Sequence, residues 1–274
     1  MSSAVGLASP STRQAVRVDG RWKGRVTRDP LPAPLLDRDP RLRRRIAAIW
    51  HLQASTEARV AGSFAVVRDA LVALHADPGL VRLADRAIDD EHRHAALCEE
   101  VAGRYLEREV QPYEVLASQQ PSHPQASDRV RHILHIAGQC CFNETFASAY
   151  LSAAQSGASE PLARHALREL LRDEIDHARV GWGFMHELPA TYRRVVSEWL
   201  VPLAVCNLRE WQSIDLPQDD SLAPFGVPPW EVAQEAILEA LTGVILPGFQ
   251  HVGLDTRALE QWIAAGAHVP ALRA

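Results

Sequence analysis

The chain has 274 residues, of which 47% are hydrophobic, and its formal net charge is −5. A chain of this length can bury a sizeable core, and without an excess of positive charge it is poorly suited to bind nucleic acid. Its four cysteines are too few for a disulfide scaffold, which favours a reducing, cytoplasmic location. The apolar run Trp199–Cys206 is interrupted by Pro202 and is shorter than the roughly 20 residues of a membrane span, so we expect no membrane contact.

The chain begins with a segment that lacks a helical pattern. Residues 1–40 are rich in proline and arginine and are predicted to form an extended arm that wraps the body or stays mobile. From Arg41 onward, apolar residues recur three and four apart, which is typical of amphipathic α-helices. A first helix is predicted from about Arg41 to about His75 and a second from about Leu80 to about Glu109. The Pro and Gly of Ala76–Gly79 separate the two helices, which should form a hairpin.

A second helical hairpin is predicted after a long connection. Three prolines between Gln111 and Ser127 exclude a continuous helix there. The third helix is expected from about Asp128 to about Gln155. The fourth is expected to begin with Ser159 as its N-cap and Pro161 in its first turn, and to continue to about Leu188.

The remaining residues, 189–274, are predicted to form further helices on the outside of the molecule. The predicted organisation is therefore an arm over residues 1–40, a four-helix bundle over 41–188 and C-terminal helices over 189–274. Two helical hairpins joined by one long crossover is the arrangement of ferritin-like bundles. The predicted fold class is all-α.

The motif Asp-Glu-x-x-His occurs twice, once on the second predicted helix and once on the fourth. Its copies are Asp90–His94 and Asp173–His177. In each copy the Glu and the His lie one turn apart on the same helix face, so both can bind an ion inside the bundle. Random placement readily produces a single Glu-x-x-His, but two copies that both follow an Asp are a much stronger signal.

A further glutamate lies on the helix before each copy of the motif. Glu57 precedes the first copy and Glu144 the second, and both have apolar or small neighbours on their helix faces. An ionised carboxylate in such surroundings needs a proton, a cationic partner or a metal. The predicted metal ligands are therefore four glutamates and two histidines: Glu57, Glu91, His94, Glu144, Glu174 and His177.

The composition of this ligand set indicates the kind of metal and the role of each ligand. Four carboxylates and two imidazoles are too many donors for one tetrahedral zinc and suit two iron ions, or manganese. Glu91 and Glu174 are expected to bridge the ions. Glu57 and Glu144 are expected to bind one ion each, with one histidine per ion.

Three neighbouring residues are expected to support the ligands. Asp90 and Asp173 are candidates to hold the histidine of the opposite helix through its second N–H group, and Arg93 could link these acids. The helix phase directs His92 away from the ligands and towards solvent. The competing interpretation is that the motif residues are solvent-facing charges on amphipathic helices.

A Glu followed one helix later by Asp-Glu-x-x-His, with both elements repeated, resembles the ferritin-like di-iron carboxylate superfamily. Asp90–His94 also keeps the Asp-Glu-x-Arg-His form of its bacterial multicomponent monooxygenases. The resemblance covers about Arg41 to Leu188. Within the superfamily the spacings are similar to those of the p-aminobenzoate N-oxygenase family, which oxidises an amine nitrogen with O₂. That family has a further His ligand one turn before the last Glu, where this chain has Leu170, so N-oxygenation in particular is not indicated.

The resemblance implies a non-haem di-iron oxidoreductase of the monooxygenase or oxidase type. Such an enzyme uses O₂ to hydroxylate, N-oxidise or desaturate a small organic substrate, for example in secondary metabolism. It would need an electron donor, a reductase or a ferredoxin, and it could form a homodimer. The alternatives are a ferroxidase or other iron-handling protein, and a protein whose metals only brace its helices.

Overall fold

The computed structural model describes residues 16–18, 21–23, 27, 30–34, 39–111, 121–214 and 216–267. Within these ranges the backbone is predominantly helical. The strands found there are the short antiparallel pair β1 (Val16–Val18) and β2 (Arg21–Lys23). The predicted all-α class is therefore confirmed.

The first predicted hairpin is present, with helix ends within a few residues of those expected. Helix α1 spans Pro40–Ala73 and helix α2 spans Pro78–Leu106. Both begin in the same way: the carboxylates of Asp39 and Asp77 accept a hydrogen bond from the backbone N–H two residues on, and a proline follows each Asp. Helix α2 ends at Glu107, whose backbone is left-handed, with φ of 55°.

The predicted arm is described in part. Its strands β1 and β2 pair with Val16 opposite Lys23. Further along, the backbone carbonyls of Leu31 and Pro32 accept hydrogen bonds from Arg104 Nη1 at 3.1 and 3.2 Å, so this piece of the arm lies against the end of α2. The rest of the arm lies outside the described residues.

The third predicted helix is one helical segment whose middle part is not α-helical. It consists of α3 (Asp128–Ile136), a π-helical segment (Ala137–Asn143) and α4 (Glu144–Gly157). The expectation of an uninterrupted α-helix is wrong here, because apolar periodicity does not show where a helix accommodates an extra residue in its turn. The π segment ends directly before Glu144, one of the predicted metal ligands.

Helix α5 spans Pro161–Glu187, but its N-cap is Glu160 and not the predicted Ser159. Glu160 Oε2 accepts hydrogen bonds from the backbone N–H of Ala163, at 2.8 Å, and from the hydroxyl of Tyr105, at 2.6 Å. Ser159 is exposed. Serine is the better cap by local preference, and the contact with Tyr105 on α2 favours the glutamate instead.

Four helical segments surround the centre of the molecule. Helix α1 packs along α2, α2 contacts α5, α5 contacts α4 and the π segment, and α3 contacts α1. The buried apolar residues form two clusters. On α2 the two clusters are separated by the residues between Ala87 and Ala95. On α5 they are separated by the residues between Leu170 and Val180. The predicted ligands of both helices lie in these gaps, as a polar layer between two apolar ones.

The C-terminal residues form shorter helices on the outside of these segments. Helix α7 (Leu200–Gln212) contacts the π segment, and helix α8 (Trp230–Ala240) contacts α4. The other elements are α6 (Ala190–Ser197), a 3₁₀ helix (Asp220–Phe225), a second π segment (Leu241–Ile245), α9 (Leu246–His251) and α10 (Arg257–Ala264).

One helical stretch of the described chain, Trp230–His251, is long and apolar enough to cross a membrane, judged by length and composition alone. It has 22 residues, and 33% of its most apolar window is buried. The core helix of a soluble protein passes the same test, so the stretch is weak evidence for a membrane span. The absence of membrane contact stays a prediction.

Candidate metal centre

The structure brings all six predicted ligands together in the interior. The six residues form two groups, and within each group the potential ligand atoms lie within 4.8 Å of one another. Glu91 belongs to both groups. All six side chains are buried, and the most exposed of them, Glu57, is 5% exposed. The solvent-facing interpretation of these residues is therefore wrong. The two groups are Glu91, Glu144, Glu174 and His177, and Glu57, Glu91 and His94.

Glu91 and Glu174 each face both imidazoles. Oε1 of Glu91 lies 3.0 Å from Nδ1 of His177, and Oε2 of Glu91 lies 3.6 Å from Nδ1 of His94. Glu174 repeats this with its oxygens exchanged: Oε1 lies 3.7 Å from Nδ1 of His94, and Oε2 lies 3.5 Å from Nδ1 of His177. Two carboxylates that each present one oxygen to each histidine can link two ions.

The outer nitrogen of each imidazole faces an aspartate on the opposite helix. Nε2 of His94 is 3.3 Å from Oδ2 of Asp173, and Nε2 of His177 is 3.8 Å from Oδ2 of Asp90. Arg93 donates a hydrogen bond to Asp173, and its Nη2 lies 3.7 Å from Oδ1 of Asp90. A proton on Nε2, facing the aspartate, leaves the lone pair of Nδ1 for a metal, and this pairing is common around metal-bound histidines.

Two glutamines that the sequence analysis missed support the outer glutamates. Gln53 Nε2 donates to Glu57 Oε1 at 2.6 Å, and Gln139 Nε2 donates to Glu144 Oε1 at 2.5 Å. Gln53 and Glu57 are four residues apart, which is about one turn of the α-helix α1. Gln139 and Glu144 are five residues apart, which is about one turn of the wider π segment. The signal in the sequence is a Gln one turn before each glutamate, and the unequal spacing conceals it.

Five buried atoms at the centre have no hydrogen-bond partner in the described structure. They are Oε2 of Glu91, Oε2 of Glu174, Nδ1 of His94 and both ring nitrogens of His177. Buried polar atoms are nearly always satisfied by a partner. Since all five belong to residues of the two groups described above, the residues present fit a pair of cations.

The histidines carry raised pKa values without a metal. Burial by itself lowers the pKa of His94, but hydrogen bonds with Asp173 and Glu91 outweigh burial and raise that pKa to about 10. Burial likewise opposes ionisation of His177, and the carboxylates around it, led by that of Asp90, raise its pKa well above the usual range. Protons therefore occupy the imidazoles at neutral pH when no metal is bound.

The outer glutamates have raised pKa values as well. Burial raises the pKa of both Glu57 and Glu144 well above the usual range of a carboxyl group. The charge of Glu91 adds to this at Glu57. Two bound cations would remove both the repulsion between carboxylates and the need for these protons.

The π segment and α5 approach each other closely beside the centre. A Cβ atom on Gly181 would lie 2.7 Å from Cβ of Cys140 and 2.7 Å from Sγ of Cys141, so only glycine fits there. Both cysteines are buried, and burial raises the pKa of both thiols. Their thiols are therefore neutral and fill the contact between the two segments.

Two positions beside the motif do not contribute ligands. His92 is exposed, as the helix phase predicts. Leu170, one turn before Glu174, is fully buried and belongs to one of the apolar clusters, so no seventh ligand stands there.

Comparison with models of known protein families, with curated proteins and with solved structures finds no match to this chain. The fold and the site thus define an all-helical protein with a buried cluster of carboxylates and histidines that can bind metal.

Proposed function

We propose that this protein is a di-iron, O₂-activating oxidoreductase of the monooxygenase or oxidase type, built on a ferritin-like four-helix bundle. The observation that carries the proposal is that Glu91 and Glu174 each present one oxygen to each of two histidines. This arrangement suits two ions that share two bridging carboxylates. Each ion would then have one histidine and one further glutamate.

The donor atoms favour iron, with manganese as the second choice. Six ligands are too many for one tetrahedral zinc, and carboxylates with imidazoles suit iron or manganese better than softer metals. When bound, a pair of Fe(II) ions would supply the electrons that activate O₂ for oxidation of a small organic substrate.

The residues of the chain provide the geometry for this chemistry. Asp173 and Asp90 hold the imidazoles so that Nδ1 faces inward, and Arg93 connects the two aspartates. Gln53 and Gln139 orient the outer glutamates through hydrogen bonds. The apolar clusters on either side keep bulk water away from the polar layer.

Anaerobic titration with Fe(II) tests the proposal directly. We expect two equivalents of iron per chain, counted by metal analysis after removal of excess. Binding of fewer than two equivalents would overturn the di-metal assignment.

Exposure of the loaded protein to O₂ separates the candidate functions. An oxygenase or oxidase keeps two irons per chain and consumes O₂ repeatedly when a chemical reductant is supplied. Uptake of many more irons per chain as ferric mineral would favour the iron-handling alternative. A metal that only braces the helices would bind two per chain and leave the rate of O₂ consumption at the background level.

A further inference from the structure

A cavity of about 290 Å³ lies beside the metal centre, between α1, the residues that precede α3, the end of α3, the π segment and α7. Gln139 lines this cavity and also donates its hydrogen bond to Glu144. A single side chain therefore separates the cavity from a proposed ligand. The volume is near the lower end of the range for small-molecule sites, about 300–1,000 Å³.

The cavity described beside the other outer glutamate is much smaller. Gln53, the counterpart of Gln139, lines a cavity of about 20 Å³, with Tyr150 and Leu170 among its neighbours. This volume is about that of one water molecule. The two halves of the site thus differ, and of these two cavities only the one on the Glu144 side is large enough for a small molecule.

The large cavity has two histidines in its wall with unused nitrogen atoms. His123 is 8% exposed, and its buried Nε2 has no hydrogen-bond partner in the described structure. His135 donates from Nε2 to the carbonyl of Pro121 at 3.0 Å, which leaves the lone pair of its Nδ1, also buried and without a partner, as an acceptor. Buried nitrogens of this kind nearly always have a partner, and a ligand in the cavity can supply it. The rings are 5.7 Å apart.

The backbone conformation and the charges around these histidines are consistent with a ligand-binding site. His123 has φ of 41°, a conformation that costs energy for a residue other than glycine, and its ring packs edge-on against Trp199. Burial lowers the pKa of both histidines, and neighbouring cationic groups lower it further, so both are neutral at pH 7. The wall also contains two arginines and one glutamate, Arg59, Arg209 and Glu210. The formal charge of these three is +1, which disfavours a cationic ligand.

We propose that this cavity is the substrate pocket of the metal centre and that it binds a compact, neutral or singly anionic molecule with an O–H or N–H group directed at His123 and His135. The inference rests on the proposed function, because it takes the neighbouring glutamates and histidines as the reacting centre. Gln139 then acts as a positioning residue between the substrate and Glu144.

Binding of three probes of similar size tests the proposal: 4-methylphenol, toluene and benzylamine. Each is titrated into the metal-free and the Fe(II)-loaded full-length protein, and binding is followed by calorimetry and by tryptophan fluorescence. We expect 4-methylphenol to bind about tenfold more tightly than toluene, because toluene has no group that can donate to a buried acceptor. We expect benzylamine to bind most weakly, because burial of its ammonium charge costs hydration. Failure of 4-methylphenol to bind either form, or equal binding of all three probes, would overturn the proposal.

Variants of the wall localise the binding. His135→Leu and His123→Leu should each weaken 4-methylphenol binding about tenfold and leave toluene binding unchanged. Retained toluene binding also shows that each variant is folded. His132→Leu is the matched control, because it lies on the same helix as His135 but does not line the cavity. Equal loss in the control would overturn the proposal.

The pocket assignment and the metal assignment can be tested independently of each other. If 4-methylphenol binds with the expected dependence on His135 but the protein takes up fewer than two irons, the pocket stands without the proposed function. If two irons bind and no probe does, the proposed function stands and the pocket assignment is wrong.

Discussion

The carboxylate of Glu91 faces two histidines that lie on different helices. Its oxygens point to His94 on its own helix and to His177 on α5. Burial by itself raises the pKa of Glu91, but the attraction to these two histidines outweighs burial and holds that pKa well below the usual range. A carboxylate that stays ionised in the interior is the kind of ligand that can bridge two cations.

Glutamine has nearly the same shape as glutamate but no charge. Replacement of Glu91 by glutamine should therefore weaken metal binding without changing the packing. We expect Glu91→Gln to lower iron content from two to at most one per chain, because a neutral amide cannot bridge two cations. Metal analysis after anaerobic loading measures this. His92→Gln, one residue along on the exposed face, is the control and should keep two irons. Equal loss in both variants would mean that the helix phase is wrong.

At the scale of the elements, the π segment is the main departure from regular structure near the centre. It places Gln139 one turn from Glu144 and lets the backbone pack directly on α5 at Gly181. π-Helical turns are rare and are frequently found at functional sites. Here the turn adjoins both the metal centre and the cavity.

Gly181→Ala should lower the free energy of unfolding. Alanine is better than glycine in a helix by about 1 kcal/mol, but its Cβ would overlap Cβ of Cys140, and overpacking of this kind costs about 1–3 kcal/mol. We expect a net loss of up to about 2 kcal/mol in urea denaturation. The control is Gly243→Ala, where an added Cβ meets nothing within 4 Å, and it should be neutral or slightly stabilising. A stable Gly181→Ala variant would show that the π segment can move away from α5.

The start of α5 offers a second test of element packing. Tyr105→Phe removes the 2.6 Å hydrogen bond to Glu160 and should cost about 1.5–3 kcal/mol, the range for bonds to charged groups. Ser159→Ala, at the position favoured by local sequence, should change the free energy of unfolding by less than about 0.5 kcal/mol. A larger loss at Ser159 than at Tyr105 would restore the serine as the cap.

At the scale of the whole molecule, the polar layer joins four helical segments between two apolar clusters. Without metal, protons on the histidines and outer glutamates stabilise this layer. The pKa of His94 is raised to about 10, and those of His177, Glu57 and Glu144 are also raised. The stability linked to a raised pKa is fully present below the pKa of the unfolded chain and is lost as the pH rises through the folded value.

The metal-free protein should therefore become less stable as the pH rises from about 6.5 towards 10, the window set by the ordinary histidine pKa and that of His94. The slope is up to about 1.4 kcal/mol per pH unit for each proton involved. Melting temperatures of the chelated protein across this range measure it. Iron-loaded protein should show a smaller slope, because cations replace the protons. A metal-free protein that is more stable at pH 9 than at pH 7 would contradict this.

Local features of the sequence were sufficient for the positions of the main helices, apart from the π segment and the cap of α5, and for the helix faces that carry the candidate ligands. The spacing of Glu91 and His94 places both side chains on one helix face whatever the helix packs against, and the same holds for Glu174 and His177. Proline and glycine marked the turn before α2 for an equally local reason. The exposure of His92 follows from the same helix phase.

Contacts between distant parts of the chain decided the rest. Glu160 caps α5 because Tyr105 reaches it from another helix, and the π segment makes Gln139 the partner of Glu144. His123 and His135 meet in a cavity wall for which no sequence pattern gave a signal. The sequence by itself therefore determined which side chains share a helix face, since that depends on local periodicity. Only the tertiary structure decided which carboxylate oxygen faces which imidazole and where space remains for a ligand, because both depend on how separate helices pack.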